Sequence, residues 1–408
     1  MGERDVECSL GARWISVRLV NVNNESRQLI WLVLFRLTRS FAAGLIVLIL
    51  PYYVLQDLHY GPFVLGLVYT AATIGTAGFA LLFGYLTDLW GRKGTLFLAG
   101  ALLPIGSLAA FSSSTLALLF VGAILGGFSA TGSRAAGSVG GAAQPIQSAV
   151  IAELTTVRNR TFWFSLFTFL SGICGAAGML AARLFSARGG FLVALITSAA
   201  GLLFLLPVHP ANNRERTRIR SHGVIGKFSL TAAVNGLSQG IVMPFLIPFF
   251  VLVYHTPKSS MSFYGFGSEL VAAVAILVAP QLERRYGFVK SVALTRGLGA
   301  ALLLLLPWVR IFVLAAIIYM LTPALRVLAV PAQQTAFTAM VDRGEMGRAL
   351  AMNQVARLAA SSGAVTLTGY IFETAEIALP FYAYAALTAV SLAMYFQFFG
   401  ANPEVRPE

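Results

Sequence analysis

Acidic residues are scarce in this chain: 16 Asp and Glu stand against 29 Lys and Arg in 408 residues, and charged side chains make up only 11%. Soluble globular domains carry about 25%, so composition alone excludes that class. Cysteine is nearly absent. Cys8 and Cys174 are too few and too far apart for a disulfide framework or a thiolate metal cluster. The four histidines, His59, His209, His222 and His255, fall in predicted loops well apart. That scatter argues against a membrane-embedded enzyme, which needs clustered His, Cys or acidic groups. A phosphate-binding loop is missing too: Gly223-Val224-Ile225-Gly226-Lys227 lacks the spacing and the following Ser or Thr, so an ATP-driven pump is not expected. The first 28 residues mix charges with short apolar stretches and show no cleavable-leader pattern; the segment that includes Trp14–Val20 suits a position along a membrane face. No cofactor and no metal are expected.

What the chain has instead is apolar length. Hydrophobic residues reach 57%, mean hydropathy is +0.78, and runs near the ~20 residues that cross a bilayer recur between short polar or Gly/Pro breaks. Twelve spans are expected, at 29–54, 62–83, 95–112, 116–152 with an interruption, 162–183, 190–208, 229–254, 261–281, 288–307, 311–331, 348–370 and 379–399. The formal charge of +13 follows this topology. With both termini cytoplasmic, the inner loops and tails hold Arg27, Arg92, Lys93, Arg158, Arg160, Arg214, Arg216, Arg218, Arg220, Lys227, Arg284, Arg285 and Lys290 among others; the outer loops hold only Arg183, Arg188, Lys258 and Arg310. That asymmetry sets the orientation of a multi-pass cell-membrane protein. It also assigns the basic surface to anionic membrane lipids, with no nucleic acid as partner.

The longest internal polar stretch, from His209 through Asn212-Asn213-Arg214-Glu215-Arg216 to Gly226, divides the chain. The expected organisation is a cytoplasmic tail over 1–28, a six-helix bundle over 29–208, a cytoplasmic linker over 209–228, a second six-helix bundle over 229–400 and a tail over 401–408. Two halves of six spans suggest a duplicated carrier. Internal similarity supports duplication: Gly84-Tyr85-Leu86-Thr87-Asp88-Leu89-Trp90-Gly91 aligns with Pro280-Gln281-Leu282-Glu283-Arg284-Arg285-Tyr286-Gly287, placing Asp88 on Arg284 and Gly91 on Gly287.

The stretch Gly84 to Gly94 packs Asp88, Arg92 and Lys93 into a tight turn between apolar runs. It resembles the loop between the second and third helices of the major facilitator superfamily, with Leu89 where that family usually has a basic residue. Arg36-Leu37-Thr38-Arg39-Ser40-Phe41, Val330-Pro331-Ala332-Gln333-Gln334 and Val341-Asp342-Arg343-Gly344-Glu345-Met346-Gly347-Arg348 followed by Arg357 resemble segments of its bacterial and archaeal efflux-type permeases. The resemblance implies an all-α membrane protein of twelve transmembrane helices in two six-helix bundles, carrying a small-molecule substrate by alternating access as a monomer. It also implies a gate at the inner face: Asp88 on the start of a facing helix, expected to be the eleventh span, and Arg92 with Glu153 as its partner, with Gly84, Gly91 and Lys93 completing the motif. Arg284, Gly287 and Arg357 form the second-half counterpart. The Gly-Pro signature of proton-coupled drug antiporters is absent from the fifth span, and so is their arginine from the fourth near Gly122.

Charges inside spans are costly and point to function. Glu269 lies about 18 Å into the bilayer by helix rise and could exchange protons; the alternative is an ion pair with an arginine or a place near the outer vestibule. Arg36 and Arg39 are read as reaching back to the inner interface. The fourth span carries a Gly/Ser run around Arg134 that will not hold a continuous helix; the run is either a break opening on the cavity, with Arg134 facing solute, or an outer loop. Asn235 and Gln239 share one face of the seventh span and suit either solute or helix contacts. Export of a drug or organic metabolite is the leading expectation, with solute uptake and, from other classes, an enzyme or a channel as alternatives.

Overall fold

In the computed structural model the described residues are 4–113, 115–129, 141–155, 157–209, 222–341, 346–374 and 376–400, and among them the chain is helical with no strand. Lipid offers no partner to a backbone N–H or C=O, so a spanning chain satisfies them within helices. The helices are α1 (Arg4–Tyr52), α2 (Pro62–Phe111), α3 (Leu116–Gly126), α4 (Gln144–Leu154), α5 (Val157–Ala181), α6 (Ala187–Leu203), α7 (His222–Val242), α8 (Leu246–Val253), α9 (Lys258–Leu305), α10 (Phe312–Met340), α11 (Met346–Glu373) and α12 (Leu379–Phe399). Nine described segments are long and apolar enough to cross a membrane. Two of these nine come from each of α2 and α9, which fold back on themselves: Pro62–Thr87 with Leu89–Phe111, and Lys258–Ala279 with Gln281–Trp308.

Both reversals turn on one glycine. Gly91 has φ 78, ψ 169 and Gly287 has φ 73, ψ 172, a backbone region that only glycine enters without strain. The turn expected over Gly84 to Gly94 is therefore a single non-helical residue inside α2. The likeness of the halves goes further, because 196 residues separate Gly91 from Gly287, Gly61 from Pro257 at the N-caps of α2 and α9, and His59 from His255, which share a left-handed φ of 56 and 49. Replacing Gly91 or Gly287 by Ala should cost about 1–3 kcal/mol each, seen as a lower melting temperature of the purified protein; an unchanged melt would show that the turn tolerates a Cβ.

Two spans are broken. Pro244 interrupts the helix between α7 and α8, where Met243–Phe245 form a 3₁₀ turn, because proline lacks the N–H that the helix needs. In the fourth span α3 stops at Gly126, Gly127 is left-handed (φ 60, ψ 48), and Gly127 and Phe128 both donate their N–H to the Ala123 carbonyl. On the other side of the undescribed residues, Gly141–Ala143 form a 3₁₀ turn that leads into α4. The interruption thus opens at Gly127, before the Ser129 where the Gly/Ser run begins; Arg134 lies outside the described residues.

Candidate functional site

The loops before α2 and α9 mark one end of the molecule, called here the Gly61 end; the reversals at Gly91 and Gly287 mark the other. At the Gly61 end the halves meet along two helix pairs. In the first, α2 against α11, small residues let backbones touch: a Cβ added to Gly369 would stand 2.7 Å from the Pro62 carbonyl and 3.1 Å from Gly66 Cα. Thr70 Oγ1 lies 2.7 Å from Thr366 Oγ1 and donates to the Ser362 carbonyl at 2.9 Å. Glu373 closes the pair, its Oε2 accepting the Phe63 N–H at 2.9 Å, in the first turn of α2, where a helix has unsatisfied donors and partial positive charge.

The second pair is α5 against α9. A Cβ on Gly172 would meet the Ala273 methyl at 3.0 Å, Arg183 stacks 4.5 Å over the Phe263 ring, and Lys258 donates to the Phe185 carbonyl. Tyr52 Oη of α1 donates to the Thr256 carbonyl at 2.8 Å. Buried aromatics fill the space between, with Tyr69 6.4 Å edge-on to Phe245 and Phe249 and Phe250 packed on Phe381 and Tyr319. Together these contacts seal the Gly61 end.

Glu269 sits within that seal. It is 2% exposed and lines a small cavity with Ser40, Ala43, Gly44 and Val47 of α1 and Gly175 and Met179 of α5. The carboxyl group therefore belongs to the second half and faces the first, at the boundary that alternating access would open and close.

One helical turn from Ser40 stands the polar cluster that sequence reasoning missed. Arg36 Nε donates to Ser171 Oγ at 2.9 Å and its Nη1 to Gln147 Oε1 at 3.2 Å, while Arg39 Nη1 donates to the Gly100 carbonyl at 2.7 Å and its guanidinium lies 5.2 Å from the Phe35 ring. Both arginines thus turn into the first half and do not reach back to an interface. The reason is supply of acceptors: Ser171 on α5, Gln147 on α4 and a carbonyl of α2 compensate the guanidinium inside. A Gln in the fourth span and a Ser in the fifth were the available signals, but only packing brings them to Arg36.

In the second half Gln239 is buried, its Oε1 without a hydrogen-bond partner among the described residues, and Asn235 is half-buried one turn away. At the Gly91 end, Lys93 ties the reversal to the exit of α6, its Nζ donating to the Leu206 carbonyl at 2.7 Å and lying 3.3 Å from His209 Nε2. Gly84 is open to space and Arg92 half-buried; the side chains of Asp88 and Glu153 lie outside the described residues. Arg284 is exposed at that end, whereas Arg357 lies inside the second half, its carbonyl packed on Gly236 of α7.

The sequence pattern that describes the Major Facilitator Superfamily matches residues 32–227. Curated proteins offer no match. Solved structures do. A D-xylose-proton symporter is 15% identical, with TM-score 0.72 over 94% of this chain and 99% of its own. The human organic anion transporter MFSD10 is 14% identical, with TM-score 0.69 over 91% and 99%. A bacterial homolog of the human lysosomal transporter Spinster, inward-facing and unoccupied, is 13% identical, with TM-score 0.69 over 92% and 96%. These likenesses concern the fold of this integral membrane chain; the sequence match assigns its residues 32–227 to the Major Facilitator Superfamily.

Proposed function

We propose that this protein is a secondary active carrier that exports a small organic solute by alternating access, as a monomer of twelve crossings in bundles 29–208 and 229–400 joined by the 209–228 linker. The basic inner loops orient it with the Gly91 end and both termini in the cytoplasm. The observation that carries the proposal is the seal. It joins the halves through α2 with α11 and α5 with α9, and its components are few and reversible: a carboxylate on a helix start is worth about 0.3–1 kcal/mol, small enough to break in each cycle.

The same helix pair would supply a matching device at the other end. Glu373, at the close of α11, caps the start of α2. Asp88, towards the close of the first limb of α2, would cap the start of α11 once the bundles rock the other way, with Arg92 held by Glu153. One latch forms as the other breaks, which is what two packings of similar energy require. The solute would sit between Arg36, Gln147 and Ser171 on one side and Asn235 and Gln239 on the other, with Glu269 exchanging protons as the coupling ion and Arg134 at the mouth.

Counterflow in proteoliposomes tests the proposal, since only a carrier exchanges labelled against unlabelled solute; absence of counterflow with every solute that binds would overturn it. Asp88→Asn and Arg92→Ala should each impair transport while leaving the protein folded. Full activity of either in vesicles would remove the inner latch.

A further inference from the structure

Inside the second half, towards the Gly91 end, two arginines lie within electrostatic range of each other with no acidic partner among the described residues. Arg296, on the second limb of α9, is 8% exposed, and its Nη1 has no hydrogen-bond partner among those residues. Its guanidinium lies 5.3 Å from the centroid of the Tyr395 ring on α12. Gln333 of α10 donates Nε2 to Tyr395 Oη at 3.0 Å. Arg357 of α11 is half-buried and within electrostatic range of Arg296. Three helices, α9, α10 and α12, therefore converge around Arg296 with Arg357 of α11 in electrostatic range, and among the described residues donors and positive charge exceed acceptors there.

Arginine stays protonated in proteins, so losing the charge is not an escape. The ring of Tyr395 attracts a cation, but a cation–π contact offsets only part of the cost of burying a guanidinium, and the second cation adds to that cost. We propose that the surroundings of Arg296 form an oxyanion-binding site, in which the oxygens of a phosphate or similar oxyanion group accept from Arg296 Nη1 and from the Arg357 fork. Tyr395, fixed by Gln333, holds the Arg296 plane in place. Such a group is carried by an anionic solute or by the headgroup of an anionic lipid, and the same planar recognition serves both. The site stands whether or not the chain moves solute.

The full chain in phosphatidylcholine nanodiscs, titrated with inorganic phosphate at constant ionic strength, provides the test through its melting temperature. A saturable rise is expected. Arg296→Gln and Arg357→Gln should each weaken phosphate binding by about 10- to 150-fold, the span for losing a hydrogen bond to a charged group. Arg310→Gln, at an exposed position near the Gly61 end, should bind as the parent does. If either Gln variant fails to fold, Arg296→Lys and Arg357→Lys carry the comparison: they keep the charge, lose the planar fork and should bind more weakly than the parent. A second arm replaces phosphate by discs containing phosphatidylglycerol. Stabilisation that appears only there, and disappears in the same variants, assigns the site to a lipid headgroup; dependence on free phosphate assigns it to soluble anions. Shifts that the Arg296 and Arg357 variants leave intact, or a parent stabilised by neither probe, would overturn the proposal. Binding is read without transport, so failure here leaves the alternating-access proposal standing.

Discussion

Gly369→Leu should break the seal at the Gly61 end and leave the protein folded. A Cβ at this position would press on the Pro62 carbonyl and Gly66 Cα, both backbone atoms, which cannot rotate away as a side chain would. Two rigid helices meet there, so the pair must separate. Overpacking of this kind costs about 1–3 kcal/mol, and on the proposed alternating-access cycle, where this helix pair parts in the open state, the cost would fall on the sealed state alone. The balance between sealed and open states should move by about 5- to 150-fold. A cysteine at Thr70, whose hydroxyl lies 2.7 Å from Thr366 Oγ1 across the seal, reports the change in a background without Cys8 and Cys174. Its labelling rate by a membrane-impermeant maleimide from the Gly61 end should rise by a comparable factor. An unaltered rate would mean that the α2 and α11 contact does not gate the molecule.

Glu269→Gln should abolish gradient-driven accumulation and spare exchange of labelled for unlabelled solute. Glu269 is the one carboxyl group lining the cavity between α1, α5 and α9, and the walls of that cavity belong to both halves. On the proposed alternating-access cycle the group would pass from a buried setting to a wet one as the halves part, which would tie its protonation to the opening. An amide fills the same space and accepts hydrogen bonds, yet it can release no proton, so the cycle continues while its link to the gradient is cut. Accumulation that survives in the variant, with its pH dependence unchanged, would sink the coupling role.

The sequence by itself determined the class, the helical architecture and the repeat. Apolar runs of bilayer length with few charges leave a chain no choice but to satisfy its backbone within helices. The alignment of Gly91 with Gly287 is local in origin as well: each is the single residue whose missing side chain allows φ above +70 between two helices. The Gly/Ser run predicts that the fourth-span helix stops near Ser129, and a left-handed cap at Gly127 ends it two residues earlier; most of the run lies outside the described residues. The tertiary structure alone decided where the internal charges go. Arg36 and Arg39 look, in sequence, like residues one turn from an interface, but the choice between reaching for water and reaching inward rests on acceptors 61 to 135 positions away, at Gly100, Gln147 and Ser171. Glu373 ends one helix and gives no sign that it caps another 310 positions earlier. Nor does Arg296 show that it will lie against the ring of Tyr395, 99 positions later. Local sequence fixes where a helix starts, bends and stops, because those depend on neighbouring backbone atoms; partners across a bundle depend on which helices pack side by side.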